Sequence, residues 1–447
     1  MNRIAFILLC LGLALTSCAE PLRVNFKSAD ITRNSDGTML AGFAARTKLS
    51  EGLHTPLKAG CVVFTDGQKK VCLVSMDMME ISPALADELR DSIQARTGIG
   101  KDNIILHCIH THSAPRVGGK WIEEGAPNRE FYFSFKESII GLASETILDD
   151  KGFRRFKVET GFCRHNISHN RCEEGGPIDY DVYALRLLGR WGKPICAFFN
   201  IACHPVTKGA GNCSVGADYS GVARQIVSGK WGCEVFQISG GQGNMDPAKG
   251  PQTAIEYCEE CGKSLADSLS TIEFKPFPMD GKLELATTVA KLPYRLPVVT
   301  MKDIHAFADS MKVEYATAFP RFAKDVEGWE EQMEEKFGPD AAVTSQDYNM
   351  TGLNVGGLLF VFSQGEPFCE YQQSVRAAFP GKTVIFAGYT NGQSLYVASQ
   401  RAFDVRKGYE YELEQDCVYS KVPYPMSDKM PAVFLDGLVS VLKEVSK

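Results

Sequence analysis

Beyond its first fifteen residues the 447-residue chain has no apolar run long enough to cross a bilayer, which argues against a helical body inside a membrane. Positive charge is not in excess either. Forty-eight Lys and Arg stand against 54 Asp and Glu, a net charge of −6 with both signs interspersed, so nucleic acid finds no basic stripe to bind. The 15 cysteines are thinly spread, unlike the dense spacing of a disulfide-stapled small domain. Cys258 and Cys261 form a lone C-x-x-C in a helical stretch; without a second pair they read as packing, with a zinc or redox role as the other option. Repeats, low-complexity tracts and linkers are also missing. Histidine is scarce, with eight in all, so any gathering of histidines carries weight.

The chain opens Met-Asn-Arg, followed by an apolar run from Ile4 to Leu15 and then Thr16-Ser17-Cys18. This is an export signal, too short to span a bilayer. Leu15-Thr16-Ser17-Cys18 has the pattern of a bacterial lipoprotein box, in which Cys18 is acylated and becomes the new N-terminus. The expected division is a signal peptide over 1–17 and a mature domain over 18–447, exported to the periplasm or cell surface and membrane-anchored only through Cys18. An ordinary secretory peptide is the alternative.

Strand and helix signals are interspersed. Two apolar runs, Cys61 to Phe64 and Val71 to Ser75, flank Thr65-Asp66-Gly67-Gln68 as a hairpin would. A helix begins at Ser82 with Pro83 in its first turn and Leu85, Leu89 and Ile93 on one face. Strands are expected at 103–109, 358–362 and 384–387, a hairpin over 182–201, and helices at 129–148, 222–227, 254–269 and 432–445. The stretch 301–337 is a charged amphipathic helical region, an insertion around 300–340 that fits a subdomain or lid. Its glutamates Glu327, Glu330, Glu331, Glu334 and Glu335 read as a solvated face. The fold class is α/β: mixed β-sheets with flanking helices in one large domain.

Chemistry concentrates at strand ends. His107-Cys108-Ile109-His110-Thr111-His112-Ser113-Ala114-Pro115 delivers His110 and His112 two residues apart, and residues i and i+2 of a strand share a face. Imidazole is the commonest zinc ligand, yet H-x-H fits a pair of satisfied polar histidines equally well. His204 follows a second strand, in Cys203-His204-Pro205. Glu366, in Gln364-Gly365-Glu366-Pro367, stands after a buried strand, where a carboxylate has either a partner or the start of a helix. Tyr396, in the segment 389–397, is by composition only an amphipathic aromatic. His165 and His169 belong to a polar segment, His165-Asn166-Ile167-Ser168-His169-Asn170-Arg171, which could equally be part of a site or a surface loop.

These motifs, in this order and together with the Gly42-Phe43-Ala44 start, resemble the catalytic domain of the neutral/alkaline, non-lysosomal ceramidases over nearly the whole mature chain. The resemblance implies one Zn2+ held by His110, His204, Glu366 and Tyr396. It implies proton transfer or polarisation by His112, a place for Arg171 at the substrate or the developing oxyanion, and a hydrogen bond from Tyr409 to the reacting group. Such a zinc ion acidifies water and polarises an amide or ester.

The departures touch the substrate. Two residues are added in Ser113-Ala114-Pro115-Arg116-Val117-Gly118-Gly119, and Asp246 of Gly243-Asn244-Met245-Asp246-Pro247 stands where the family carries serine. Asp246 then either joins the chemistry or caps a turn before Pro247. No counterpart of the family's immunoglobulin-like C-terminal domain is expected before residue 447. Three readings follow: a zinc hydrolase of an N-acyl amide or ester, with a small-molecule or lipid-like substrate; the same metal scaffold on a polar glycan-derived or carboxylated substrate; or a binding lipoprotein without catalysis.

Overall fold

Residues 21–252, 254–317, 319–392 and 395–447 are described by a computed structural model. The signal segment and Cys18 lie outside the described residues. Three mixed sheets share one apolar core, in which Leu73 and Ile105, Phe198 and Ile238, and Phe360 and Ile385 meet. The first sheet runs Ile104–Cys108, Lys70–Met76, Lys58–Thr65, Arg23–Asp30 and Arg154–Arg155. The second runs Glu234–Ser239, Pro194–Ile201, Asp181–Leu188, Lys157–Arg164 and Lys275–Phe277. The third runs Leu283–Pro293, Ser345–Val355, Leu358–Ser363 and Val384–Ala387.

Each sheet contains one parallel pair: Lys70–Met76 with Ile104–Cys108, Pro194–Ile201 with Glu234–Ser239, and Leu358–Ser363 with Val384–Ala387. Parallel strands are covered on both faces, which is why Ile104–Cys108 and Leu358–Ser363 read as unbroken apolar runs and are buried throughout. Gly60 lets the sheets approach: a Cβ there would lie 2.7 Å from the Phe236 ring.

Helices cover the outer faces. Pro83–Thr97 starts as expected, Ser82 Oγ accepting from the Leu85 amide at 3.1 Å, and ends at Gly98 with φ 74°. The region 301–337 is two helices, Met301–Tyr315 and Pro320–Phe337, because Pro320 restarts the second. They share the core that holds Tyr396 and Tyr409, and Trp329 Nε1 donates to Val422 O at 3.0 Å. Glu327, Glu331, Glu334 and Glu335 are exposed as expected, but Glu330 is half-buried and takes bonds from His305 at 2.6 Å and Lys312 at 2.9 Å. Cys258 and Cys261 are buried free thiols that pack the helix Ile255–Ser270.

Two local expectations are corrected. The strand carrying the first histidines stops at Cys108, and His110 sits at φ 70°, so the alternation of a strand does not bring His110 and His112 together. A sharp turn does. The segment 165–171 is not a surface loop: His165 is buried against Asp179 O at 3.2 Å, and Ser168–Asn170 pairs antiparallel with Met245–Pro247.

Candidate metal centre

Three parallel strands end at the same place. Ile104–Cys108 is followed by His110, Pro194–Ile201 by His204, and Leu358–Ser363 by Glu366. Sites of open α/β sheets lie beyond the carboxyl ends of strands, and here one end from each sheet contributes. His110 Nε2 and His204 Nε2 each lie 3.1 Å from Glu366 Oε2. His112 Nε2 is 3.2 Å from His110 Nε2, and the ligating atoms of the three histidines all fall within 4.8 Å of one another. Tyr396 pairs with Glu366 in a two-residue parallel bridge, its ring 6.3 Å from that of His204.

The backbone fixes how the rings point. His110 Nδ1 faces Met79 O at 3.0 Å and His204 Nδ1 faces Met245 O at 3.3 Å. A carbonyl only accepts, so both Nδ1 atoms carry the hydrogen and both Nε2 atoms present bare lone pairs. Two bare nitrogens and a carboxylate oxygen thus converge at 3.1 Å. That arrangement is repulsive unless a cation sits among them, and imidazoles held by backbone carbonyls are the usual dress of metal ligands. The donor set fits a divalent ion of the zinc class.

Burial, reinforced by His110 and His204, drives the His112 imidazole well below its ordinary value, leaving it neutral. Its Nδ1 has no hydrogen-bond partner among the described residues. Gly42 makes room for this ring: at φ 98°, a Cβ there would lie 2.2 Å from His112 Nδ1. Phe43 packs on the ring's other flank at 4.9 Å between centroids.

Beside the histidines lies a second polar group. The ribbon of Ser168–Asn170 and Met245–Pro247 places Arg171 next to Asp246, with Nη1 3.6 Å from Oδ1. Asp246 Oδ1 is also 3.6 Å from His204 Nδ1. Asp246 Oδ1 caps no turn among the described residues, being buried and unbonded. Arg171 stacks over the Tyr396 ring at 4.9 Å and donates to Glu412 Oε1 at 2.7 Å. Burial works against the Arg171 charge, but Tyr396, Glu412 and Asp246 together hold the guanidinium firmly protonated. Tyr409 takes another course: its hydroxyl donates to Glu173 Oε2 at 2.9 Å, and its ring packs on Phe368.

Tyr389 was not singled out from the sequence. Its ring lies 4.5 Å from that of His110, and its hydroxyl donates to Glu366 Oε2 at 3.5 Å. The available signal was position, since Tyr389 follows the strand Val384–Ala387 just as the histidines follow theirs.

The fold and part of the chain are similar to ceramidases. The resemblance read from the sequence holds: residues 23–131 match the family model of neutral/alkaline non-lysosomal ceramidase, N-terminal. The neutral ceramidase from Pseudomonas aeruginosa shares the fold with a TM-score of 0.68 at 16% identity, over 96% of this chain and 75% of that one. A ceramidase complexed with C2 matches with a TM-score of 0.68 at 14% identity, over 95% of this chain and 75% of that one.

Proposed function

We propose that the protein is a zinc-dependent hydrolase of N-acyl amides, with His110, His204, Glu366 and Tyr396 holding the ion. The observation that carries this reading is the convergence of the bare His110 and His204 Nε2 atoms on Glu366 Oε2 at 3.1 Å. A bound zinc ion would supply Lewis acidity and an acidified water. The chain supplies the rest. His112, neutral and with Nε2 facing the ligand cluster, accepts and returns a proton at that atom. Arg171, kept charged by three acidic neighbours, faces the oxygen that gains charge as the amide carbon becomes tetrahedral. Asp246 offers a free Oδ1 where the related enzymes place a serine hydroxyl, and so accepts where serine donates. Tyr389 steadies Glu366 through its hydroxyl.

Asp246 favours a more polar substrate than ceramide, because a buried carboxylate is ill suited to an alkyl chain. The amino end of the sequence supports export as a lipoprotein tethered through Cys18. The test is hydrolysis by metal-stripped protein supplied with zinc, against N-acyl amides, the matching esters and ceramide. Zinc-restored cleavage of amides, with ceramide poor or inert, is expected. Stoichiometric zinc binding without cleavage of any of these would leave the binding-lipoprotein reading in its place.

A further inference from the structure

Away from the metal centre, the chain enters the fold beside an unmatched basic surface. Arg23 pairs with Thr65, which pairs in turn with Lys70, the start of the strand parallel to Ile104–Cys108. The metal centre lies beyond the other end of that parallel pair. Arg23 also pairs with Arg155, and Lys157, two residues on, pairs with Leu188. The first described residues and the turn from Gly189 to Lys193 therefore flank one stretch of backbone. From that turn the strand Pro194–Ile201 runs toward His204, a path of about 25 Å at about 3.3 Å per residue.

Trp191 stands on this turn, 88% exposed, more than any other large apolar side chain among the described residues. Its backbone is left-handed, at φ 63°, a conformation that costs a bulky residue strain. The Arg190 guanidinium stacks over its ring at 4.7 Å. Arg154, Arg155, Lys157 and Lys193 are exposed and form no ion pair among the described residues. Neighbouring acids are already matched: Asp149 by Lys27 at 3.3 Å, Asp150 by Lys70 at 3.2 Å and Glu284 by Lys69 at 2.8 Å. The chain as a whole is acidic, at −6, so this positive face is a local feature and not a bulk excess.

Tryptophan among Lys and Arg suits a bilayer interface, where indole settles at headgroup depth and the cations meet anionic lipid. The anchor read from the sequence leads to the same face. Residues 19 and 20 alone separate Cys18 from Pro21, so at about 3.6 Å per residue an acylated Cys18 holds Pro21 within about 11 Å of the membrane. We propose that this end, through Trp191, Arg190, Arg154, Arg155, Lys157 and Lys193, rests on an anionic lipid surface while the metal centre faces the aqueous side. The orientation rests on the lipoprotein reading; the affinity for lipid does not. Each cation is worth about fivefold near an anionic surface and is screened by salt, so the face orients an anchored protein without holding an unanchored one through fractionation.

The test uses the processed chain from residue 19, which keeps every described residue and carries no lipid, with vesicles of phosphatidylglycerol or phosphatidylcholine at low salt. Sedimentation should show at least about tenfold stronger binding to phosphatidylglycerol, and Arg155→Glu with Lys193→Glu should weaken it at least about tenfold. Lys302→Glu with Lys324→Glu, the same charge change at exposed positions on the helices of 301–337, should leave binding within about twofold. Brominated phosphatidylglycerol should quench tryptophan emission, and Trp191→Phe should abolish the quenching. Equal binding to both lipids, or equal losses in the two double variants, would overturn the proposal. So would quenching that survives Trp191→Phe and vanishes in Trp121→Phe, which would lay the loop beyond His112 on the bilayer instead. Mass spectrometry of the native protein judges the anchor separately: an unacylated Cys18 removes the tether and its orientation, and leaves the lipid-binding face to the vesicle result.

Discussion

Gly42→Ala isolates the placing of His112. A Cβ at position 42 would lie 2.2 Å from His112 Nδ1 and 2.3 Å from Cγ, where ordinary contacts begin near 3.5 Å. The ring or the backbone must move by about 1 Å, and a misplacement of that size costs on the order of a hundredfold in rate. The positive φ of 98° adds about 1–2 kcal/mol of backbone strain. Gly37 is the control. Its φ of 68° carries a similar strain, but a Cβ there meets nothing within 4 Å. Both variants should therefore lower the thermal midpoint by a few degrees, and only Gly42→Ala should lose about a hundredfold in kcat on an N-acyl amide, measured per folded molecule. Full activity in Gly42→Ala, or an equal loss in Gly37→Ala, would refute the claim that His112 must stand where it does.

Other consequences reach different parts of the molecule. Asp246→Asn should keep the thermal midpoint and lower turnover at least tenfold in a rate assay, since Asp246 Oδ1 makes no turn bond; a destabilised variant with full activity per molecule would contradict this. Burial holds His107 and His165 at about 4, so both stay neutral in the fold while the unfolded chain protonates them near 6.5. Their folded pKa values are depressed, so stability is complete above pH 6.5 and falls as pH drops, by up to about 1.4 kcal/mol per pH unit for each histidine. Denaturant melts between pH 7 and 5 should show that slope, and His165→Gln should remove one histidine's share of it. Cys18→Ala should release the protein from the membrane fraction without changing turnover, as fractionation and a rate assay would show.

The strand ends carrying the site were legible because histidine is scarce and because buried parallel strands announce themselves as apolar runs broken by one polar residue. His204 and Glu366 stood out for that reason. The turn that joins His110 to His112 was hidden: φ 70° at a histidine is imposed by the tertiary fold, as its Nδ1 bond to Met79 O and its backbone bond to Met78 O show. Tyr389 and Glu412 carry no local signal of chemistry, since each matters only through atoms brought from distant segments. The long hairpin Leu283–Pro293 with Ser345–Val355 went unread because its strands mix Thr, Lys and Asn into their apolar positions and are separated by two helices. Pro320, by contrast, was available to split the region 301–337.

The central claim is that a metal ion stands among His110, His204, Glu366 and Tyr396, and anomalous diffraction at the zinc edge from crystals of the full chain tests it most directly. One peak is predicted, at about 2.0–2.2 Å from His110 Nε2, His204 Nε2 and a Glu366 carboxylate oxygen, with the Tyr396 hydroxyl as the fourth protein ligand. A zinc-soaked crystal with no peak at these side chains, or with its zinc bound elsewhere, would contradict it.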